Sequence, residues 1–124
     1  MKIGALKETT SGEHRVALTP ESAAQLQKLG HNCLIEKGVG LSAGFSDEKY
    51  KAEGVEILAS ADALSEASDL IVKVRSPSER ELSNLPSKKT LISFFNPSVN
   101  ESLMDLAKSK QISVIAMDMV PRIS

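Results

Sequence analysis

The feature that most constrains the fold is a regular alternation of short apolar runs with segments that carry helix start and stop signals. The six apolar runs are typical of short β-strands, and they cover residues 2–6, 32–36, 55–58, 69–74, 90–95 and 112–117. The run at 69–74 is nearly continuous in apolar residues, as expected for a strand buried on both faces of a parallel sheet. This alternation predicts an open, mainly parallel, doubly wound α/β sheet with helices on both faces, of the Rossmann or flavodoxin type.

Capping residues set the predicted limits of the helices. The clearest helix covers residues 20–29, with Thr19 as N-cap, Pro20 at the first helical position and Gly30 as the stop. A short helix at 47–53 lies between Ser46 and Gly54. Three further helices are predicted from their N-terminal signals. Ser60 caps a helix that extends to Ala67, and Ser78-x-x-Glu81 is a capping box for a helix that ends before Pro86. Asn100 caps a helix at 101–110, which has Leu103, Met104 and Ala107 on one face.

The length of 124 residues is that of one domain. The last predicted strand is followed closely by Pro121 and Arg122, with no predicted helix to cover it. Because a parallel sheet normally has both faces covered, we expect a partner helix from sequence beyond Ser124. We therefore interpret residues 1–124 as the first domain of a longer protein.

Composition argues against several classes of function. The formal net charge is −1, from 15 basic and 16 acidic residues, so the overall field favours neither nucleic acid nor an anionic membrane surface. Aromatic residues make up only 3% of the chain, which leaves few surfaces for base stacking. No apolar stretch approaches the roughly 20 residues that span a bilayer, so a soluble chain is expected. The lone Cys33 excludes an internal disulfide and is interpreted as a small buried hydrophobe.

The loop between the first predicted strand and the first helix is unusually long and highly charged. Such loops ordinarily have about 2–6 residues, whereas this one includes Lys7, Glu8, Glu13, His14 and Arg15. It leaves the carboxyl edge of the sheet, where α/β folds bind ligands. Arg15 offers a planar guanidinium suited to a carboxylate or a phosphate. In the alternative interpretation, Arg15 only ties down its own loop by pairing with Glu8 or Glu13.

Lys73 interrupts an apolar strand near its carboxyl end. Buried lysines are rare unless they are paired, so this position is anomalous. One interpretation places its ammonium in the same crevice as Arg15, where the two cations would bind an anionic ligand. The alternative is that the strand end is frayed and Lys73 extends to water.

Gly38, Gly40 and Gly44 lie between a strand and a short helix. Their spacing differs from the G-x-G-x-x-G pattern of dinucleotide-binding loops, and glycine-rich turns are common for conformational reasons alone. We therefore expect no nucleotide contact from this turn.

Four separated segments resemble one known family. They are the first loop with Lys7-Glu8, Glu13-x-Arg15-Val16-Ala17 and Thr19-Pro20, followed by residues 70–77, 91–97 and 116–124. In this order they are similar to the N-terminal domain of the alanine dehydrogenase and pyridine nucleotide transhydrogenase family. The similarity is strongest to the transhydrogenase α-subunit branch.

The resemblance assigns candidate site residues. In alanine dehydrogenases, the residues matching Arg15 and Lys73 bind the carboxylate of the keto acid, and the residue matching Asn96 is a histidine that acts in acid–base catalysis. An amide cannot take up or release a proton near neutral pH, so Asn96 departs from the dehydrogenase pattern. Arg15, Lys73 and Asn96 are therefore candidates for anion binding, and no catalytic residue is expected in this chain. His14 and His31 are interpreted as surface residues.

The resemblance also implies a parent activity. A proton-translocating NAD(P) transhydrogenase would use NAD and NADP, with this chain in its NAD(H)-binding component and a nucleotide-contacting loop and Rossmann domain just beyond Ser124. The family implies a homodimeric soluble component on the cytoplasmic side of a membrane, with NADP-binding and membrane-spanning partners. Two alternatives remain open: an alanine dehydrogenase-like enzyme that aminates pyruvate, or a non-catalytic module for anion binding or dimerisation.

Overall fold

The computed structural model of the chain describes residues 1–8, 14–75, 79–93 and 101–116. Its six strands form a single sheet in the order β3-β2-β1-β4-β5-β6, and every neighbouring pair is parallel. The predicted class, an open parallel α/β sheet, is confirmed. The strands are β1 Lys2–Ala5, β2 Asn32–Glu36, β3 Glu56–Leu58, β4 Leu70–Lys73, β5 Thr90–Ser93 and β6 Ser113–Ala116.

In the described ranges, five α-helices connect the strands, with a short 3-10 helix at Leu41–Ala43. Every predicted strand and helix is present, and the bounds agree to within two residues; residues 94, 95 and 117 of those predictions lie outside the described residues. The helices are α1 Pro20–Lys28, α2 Asp47–Ala52, α3 Ala61–Ala67, α4 Glu79–Asn84 and α5 Glu101–Ser109.

The caps explain why the helices begin where they do. Thr19 caps α1 as predicted, because its side chain accepts a hydrogen bond from the Ser22 N–H at 3.1 Å. The Ser22 hydroxyl oxygen in turn accepts a hydrogen bond from the Thr19 N–H at 2.9 Å. The two bonds form a capping box, which was not predicted from the sequence. Ser60 caps α3 through the Ala63 N–H at 3.1 Å.

The remaining helix predictions concern the caps of α2, α4 and α5 and one face of α5. Ser46 stands at the N-cap position of α2, but among the described residues its side chain makes no capping hydrogen bond. The acidic Asp47 in the first turn favours the helix N-terminus through the helix dipole. Met104, predicted on the same face of α5 as Leu103 and Ala107, is 49% exposed, whereas Leu106 and Ala107 pack in the apolar core on the side of α3, α4 and α5. The predicted caps Ser78 and Asn100 lie outside the described residues.

The sheet separates two apolar cores. On the side of α1 and α2, the first core includes Ala23 and Tyr50 from the helices with Ile35 and Val72 from the strands. On the side of α3, α4 and α5, the second core includes three helix residues and three strand residues, which are Leu64, Leu82, Ala107, Leu34, Ile71 and Leu91. Because Val72 and Ile71 enter opposite cores, β4 is buried on both faces, as its apolar sequence predicted.

The order of the strands explains how the helices divide between the faces. The chain proceeds from β1 outward to β3, then returns to β4 and proceeds the other way to β6. Right-handed crossovers place the helices of two such opposite progressions on opposite faces. On the side of α1 and α2, Ile115 of β6 is 46% exposed, and the expectation of a further covering helix from beyond Ser124 stays a prediction.

Cys33 lies in the first core with 2% of its surface exposed, which confirms its interpretation as a small buried hydrophobe. Burial raises the pKa of its thiol above the ordinary value. None of the helices in the described ranges has both the length and the apolar character needed to cross a bilayer.

Candidate functional site

The direction of the sheet reverses between β1 and β4. These strands are neighbours, although Ala5 at the end of β1 and Leu70 at the start of β4 are 65 positions apart in sequence. In doubly wound sheets, ligands bind outside the carboxyl ends of the strands at such a reversal. Ala5 pairs with Val72, so the loop that follows β1 and the end of β4 at Lys73 share this edge. The start of the first loop and Lys73 therefore lie at one edge of the sheet, as predicted, whereas Asn96, predicted at the same edge, lies outside the described residues.

Lys73 is fully buried, and its ammonium faces two carboxylates. Its Nζ lies 3.0 Å from Glu8 Oε1 and 3.7 Å from Glu81 Oε2. The Glu8 side chain is only 5% exposed and that of Glu81 is 24% exposed. The alternative in which Lys73 extends from a frayed strand end to water is therefore wrong, because a buried lysine has acquired the partners that its charge requires.

Glu8 also binds the backbone immediately after Lys73. Its Oε2 accepts a hydrogen bond from the Val74 N–H at 2.8 Å, and its Oε1 accepts one from the Arg75 N–H at 3.1 Å. Two successive backbone N–H groups and an ammonium thus donate to one carboxylate, and successive N–H groups of this kind can bind anions. We call these three donors, the Lys73 ammonium and the N–H groups of Val74 and Arg75, the β4 nest.

Sequence reasoning missed this role of Glu8, which it considered only as a partner for Arg15. The rule that a buried lysine needs a charged partner could have indicated that Lys73 pairs with a carboxylate. Choosing Glu8 also required the adjacency of β1 and β4, which places Ala5 beside Val72. The hydrogen bonds span 65 to 67 residues of sequence, so no local pattern reveals them.

The formal charges of the cluster bear on its chemistry. One lysine and two glutamates, Lys73, Glu8 and Glu81, sum to −1, so the ammonium is already compensated. An incoming anion at Lys73 would have to replace a carboxylate rather than meet an open cation. Lys73 is in this conformation a partner in an internal ion pair.

For Arg15 and Asn96, the other two candidate residues, the structure gives no distance to Lys73. Arg15 is exposed and lies in the segment that leads to α1. Asn96 follows β5 by three positions and lies outside the described residues. The convergence of Arg15, Lys73 and Asn96 on one anion therefore stays a prediction.

Ser93, which sequence reasoning did not select, lies beside Lys73 at the carboxyl end of β5. The two residues are paired in the parallel register, and Ser93 is fully buried. Among the described residues, its hydroxyl has no hydrogen-bond partner. Such an unpartnered buried hydroxyl is uncommon, which marks the position for substitution.

The two histidines lie in different environments. His14 is exposed, as expected, whereas His31 is half-buried and its Nδ1 has no hydrogen-bond partner in the described part of the chain. His31 precedes β2, so it lies at the opposite edge of the sheet from Lys73.

The glycine turn has a structural explanation. Gly38 and Gly44 have φ angles of 81° and 88°, which favour glycine. A Cβ at Gly40 would lie 2.7 Å from the Tyr50 hydroxyl oxygen, so only glycine fits there. The interpretation of this turn as conformational is supported by these constraints.

Comparison with known proteins gives the family. The family model described as "Alanine dehydrogenase/PNT, N-terminal domain" matches residues 4–124. The chain belongs to this family. It is 60% identical, over all 124 residues, to the NAD(P) transhydrogenase subunit alpha of Cereibacter sphaeroides, and 34% identical over 120 residues, 97% of the chain, to an alanine dehydrogenase of Methanococcus maripaludis.

A solved structure agrees with these sequence relatives. The crystal structure of a transhydrogenase from Sinorhizobium meliloti superposes with a TM-score of 0.87 at 31% identity, over the whole of this chain and 37% of that one. The chain spans 24% of the Cereibacter sphaeroides relative and 32% of the Methanococcus maripaludis relative. It therefore corresponds to a part of these longer proteins.

Proposed function

We propose that this chain is the N-terminal domain of the α subunit of a proton-translocating NAD(P) transhydrogenase. The observation that carries the proposal is its 60% identity, along its full length, to an NAD(P) transhydrogenase subunit alpha. The parent protein would transfer hydride between NADH and NADP, coupled to proton movement across a membrane. Two further transhydrogenase α relatives support this choice, at 38% and 37% identity.

Asn96 is the residue that separates this proposal from an alanine dehydrogenase activity. By the family resemblance, the dehydrogenases have an acid–base histidine at this position, and an amide cannot replace its proton transfer. Alanine dehydrogenases share the fold and the family, as the 34% identical relative shows. Reductive amination of pyruvate is therefore the less favoured activity.

The proposal includes a division of labour between this domain and the rest of the parent. The nucleotide would be held mainly outside residues 1–124, since the glycine turn of this domain serves folding and the β4 nest is occupied by Glu8. NAD and NADP are cofactors of the parent. Its partners would be the NADP-binding and membrane-spanning components, and its soluble part would be a homodimer on the cytoplasmic side of the membrane.

Two assays of the full-length parent test the activity. With its partner components, it should reduce NADP with NADH as hydride donor. With pyruvate and ammonia, it should oxidise NADH only at background rate, because a missing acid–base group costs about 10²–10⁴-fold. Asn96→His alone is not expected to create the amination activity. Robust amination by the unmodified parent, without NADP reduction, would refute the proposal.

A further inference from the structure

The strongest unassigned feature is the β4 nest with its internal ligand. Three donors converge on the Glu8 carboxylate, and none of their distances exceeds 3.1 Å. One donor is the fully buried ammonium of Lys73, and the other two are consecutive N–H groups of the Val74 and Arg75 backbone. Val74 and Arg75 follow β4 directly, so the end of this strand places the two N–H groups.

We propose that Glu8 is a latch: its carboxylate is the internal ligand of the β4 nest and holds Glu8, at the start of the first loop, at the end of β4. Glu8 follows β1 by three positions, at the start of the long loop that carries Arg15. Glu8 is thus a positioning residue for Lys73 and for the loop.

The chemistry of the nest matches a carboxylate. A carboxylate has two oxygens with four lone-pair directions, and Glu8 uses both oxygens for three donors. Charge-assisted hydrogen bonds of this kind are about twice as strong as neutral ones. A neutral amide in the same place would turn its NH₂ group toward a donor, so the latch requires the ionised acid.

One consequence is that the latch and any external anion exclude each other. The nest has a single set of donors, and the tethered Glu8 competes at a high effective concentration. An anion can enter the β4 nest only when the Glu8 carboxylate leaves it. Anion entry at this edge is therefore coupled to release of Glu8 from the end of β4. This inference concerns Glu8 alone and does not depend on the proposed parent activity.

Chemical rescue tests the latch directly. In Glu8→Ala, amide hydrogen exchange at Val74 and Arg75, followed by NMR, should be at least about tenfold faster than in the unmodified chain, since hydrogen bonds to a charged group are lost. Acetate, which is the Glu8 carboxylate without its tether, should restore the protection and shift both amide signals saturably. Sodium chloride at equal ionic strength should do neither. In the unmodified chain, acetate should leave both signals in place, because Glu8 occupies the nest.

Two further variants keep the test decisive. Glu36→Ala is the matched control, because Glu36 also accepts a backbone hydrogen bond at this edge, from the Lys7 N–H at 2.9 Å. Acetate should leave Val74 and Arg75 unchanged in that variant. If Glu8→Ala does not fold, acetate should restore its folded spectrum, and the double variant Glu8→Ala/Lys73→Met should fold without acetate because no unpaired ammonium remains buried.

Several results would overturn the proposal. Unchanged exchange at Val74 and Arg75 in Glu8→Ala would show that the carboxylate does not hold these amides. Equal effects of acetate and chloride, or the same acetate response in Glu36→Ala, would show that the nest does not select a carboxylate. Failure of acetate to restore an unfolded Glu8→Ala would contradict the latch in the same way.

Discussion

Lys73 shows how a single buried charge determines the chemistry of the sheet edge. Its ammonium is fully buried, and Glu8 and Glu81 lie 3.0 and 3.7 Å away. Breaking such a pair by removing one partner typically costs about 3–5 kcal/mol, whereas replacing both partners by apolar groups is often neutral. The arrangement is consequently better explained by the position that it gives to the first loop than by a gain in stability.

Ser93 supplies a prediction at the same scale. Its hydroxyl is buried beside Lys73 without a partner in the described structure, so Ser93→Ala should be neutral or stabilising, by up to about 1 kcal/mol. Urea unfolding of the two chains measures the difference. Destabilisation by more than about 1 kcal/mol would mean that the hydroxyl has a hydrogen-bond partner that the substitution removes.

Tyr50 connects two elements that are distant in sequence. It lies in α2, is fully buried, and donates a hydrogen bond of 2.7 Å to the carbonyl of Leu18, just before α1. Burial, with a smaller contribution from the nearby Asp47 carboxylate, raises the pKa of Tyr50 to about 12. The neutral phenol is therefore the form that the packing of α2 requires.

This shift predicts a pH dependence. Because the folded pKa lies above the ordinary value near 10, the stabilisation is complete below pH 10 and is lost as the pH rises toward 12. The loss amounts to about 3 kcal/mol at most, at 1.36 kcal/mol per pKa unit. Tyr50→Phe should be less stable by about 1 kcal/mol near pH 8, where it lacks the hydrogen bond to Leu18, and more stable near pH 12.

Urea unfolding at several pH values between 8 and 12 tests this crossing. Lysine titration affects both chains alike, so the difference between them isolates Tyr50. A difference that stays constant over this range would show that Tyr50 ionises as readily in the folded chain as in the unfolded one.

At the level of elements, the predictable features were the local ones. The start of α1 followed from Thr19 and Pro20, because a cap and its helix are a few residues apart. Periodicity grouped Met104 with Leu103 and Ala107 on α5 but did not reveal that Met104 is 49% exposed, since the exact rotation of a helix on the sheet depends on neighbours that the helix sequence does not contain. The sequence thus determined where helices begin and end better than which face of a helix packs on the sheet.

At the level of the whole molecule, the parallel α/β sheet and the edge that carries the first loop and Lys73 were predictable from the alternation of strands and helices. The strand order was not, since β1 lies beside β4 through contacts remote in sequence. The pairing of Glu8 with Lys73 depends on that order. This is why sequence reasoning identified Lys73 as anomalous and did not identify its partner.

The sheet order also bears on the proposed role of the chain as one domain of a larger protein. Its helices divide between the faces according to the two directions of the chain, and β6 keeps Ile115 exposed on the side of α1 and α2. A dinucleotide pocket in such folds is built from a glycine-rich turn and a helix N-terminus. The glycine turn of this domain instead packs on Tyr50.

The most direct test of the proposed role is a titration with NADH, by fluorescence or calorimetry. The 124-residue chain is compared with a longer version of the same protein that continues through the next domain. We predict that the longer version binds NADH and that residues 1–124 alone bind it very weakly or not at all. Comparable affinities would place the nucleotide site within residues 1–124 and contradict the proposed division of labour.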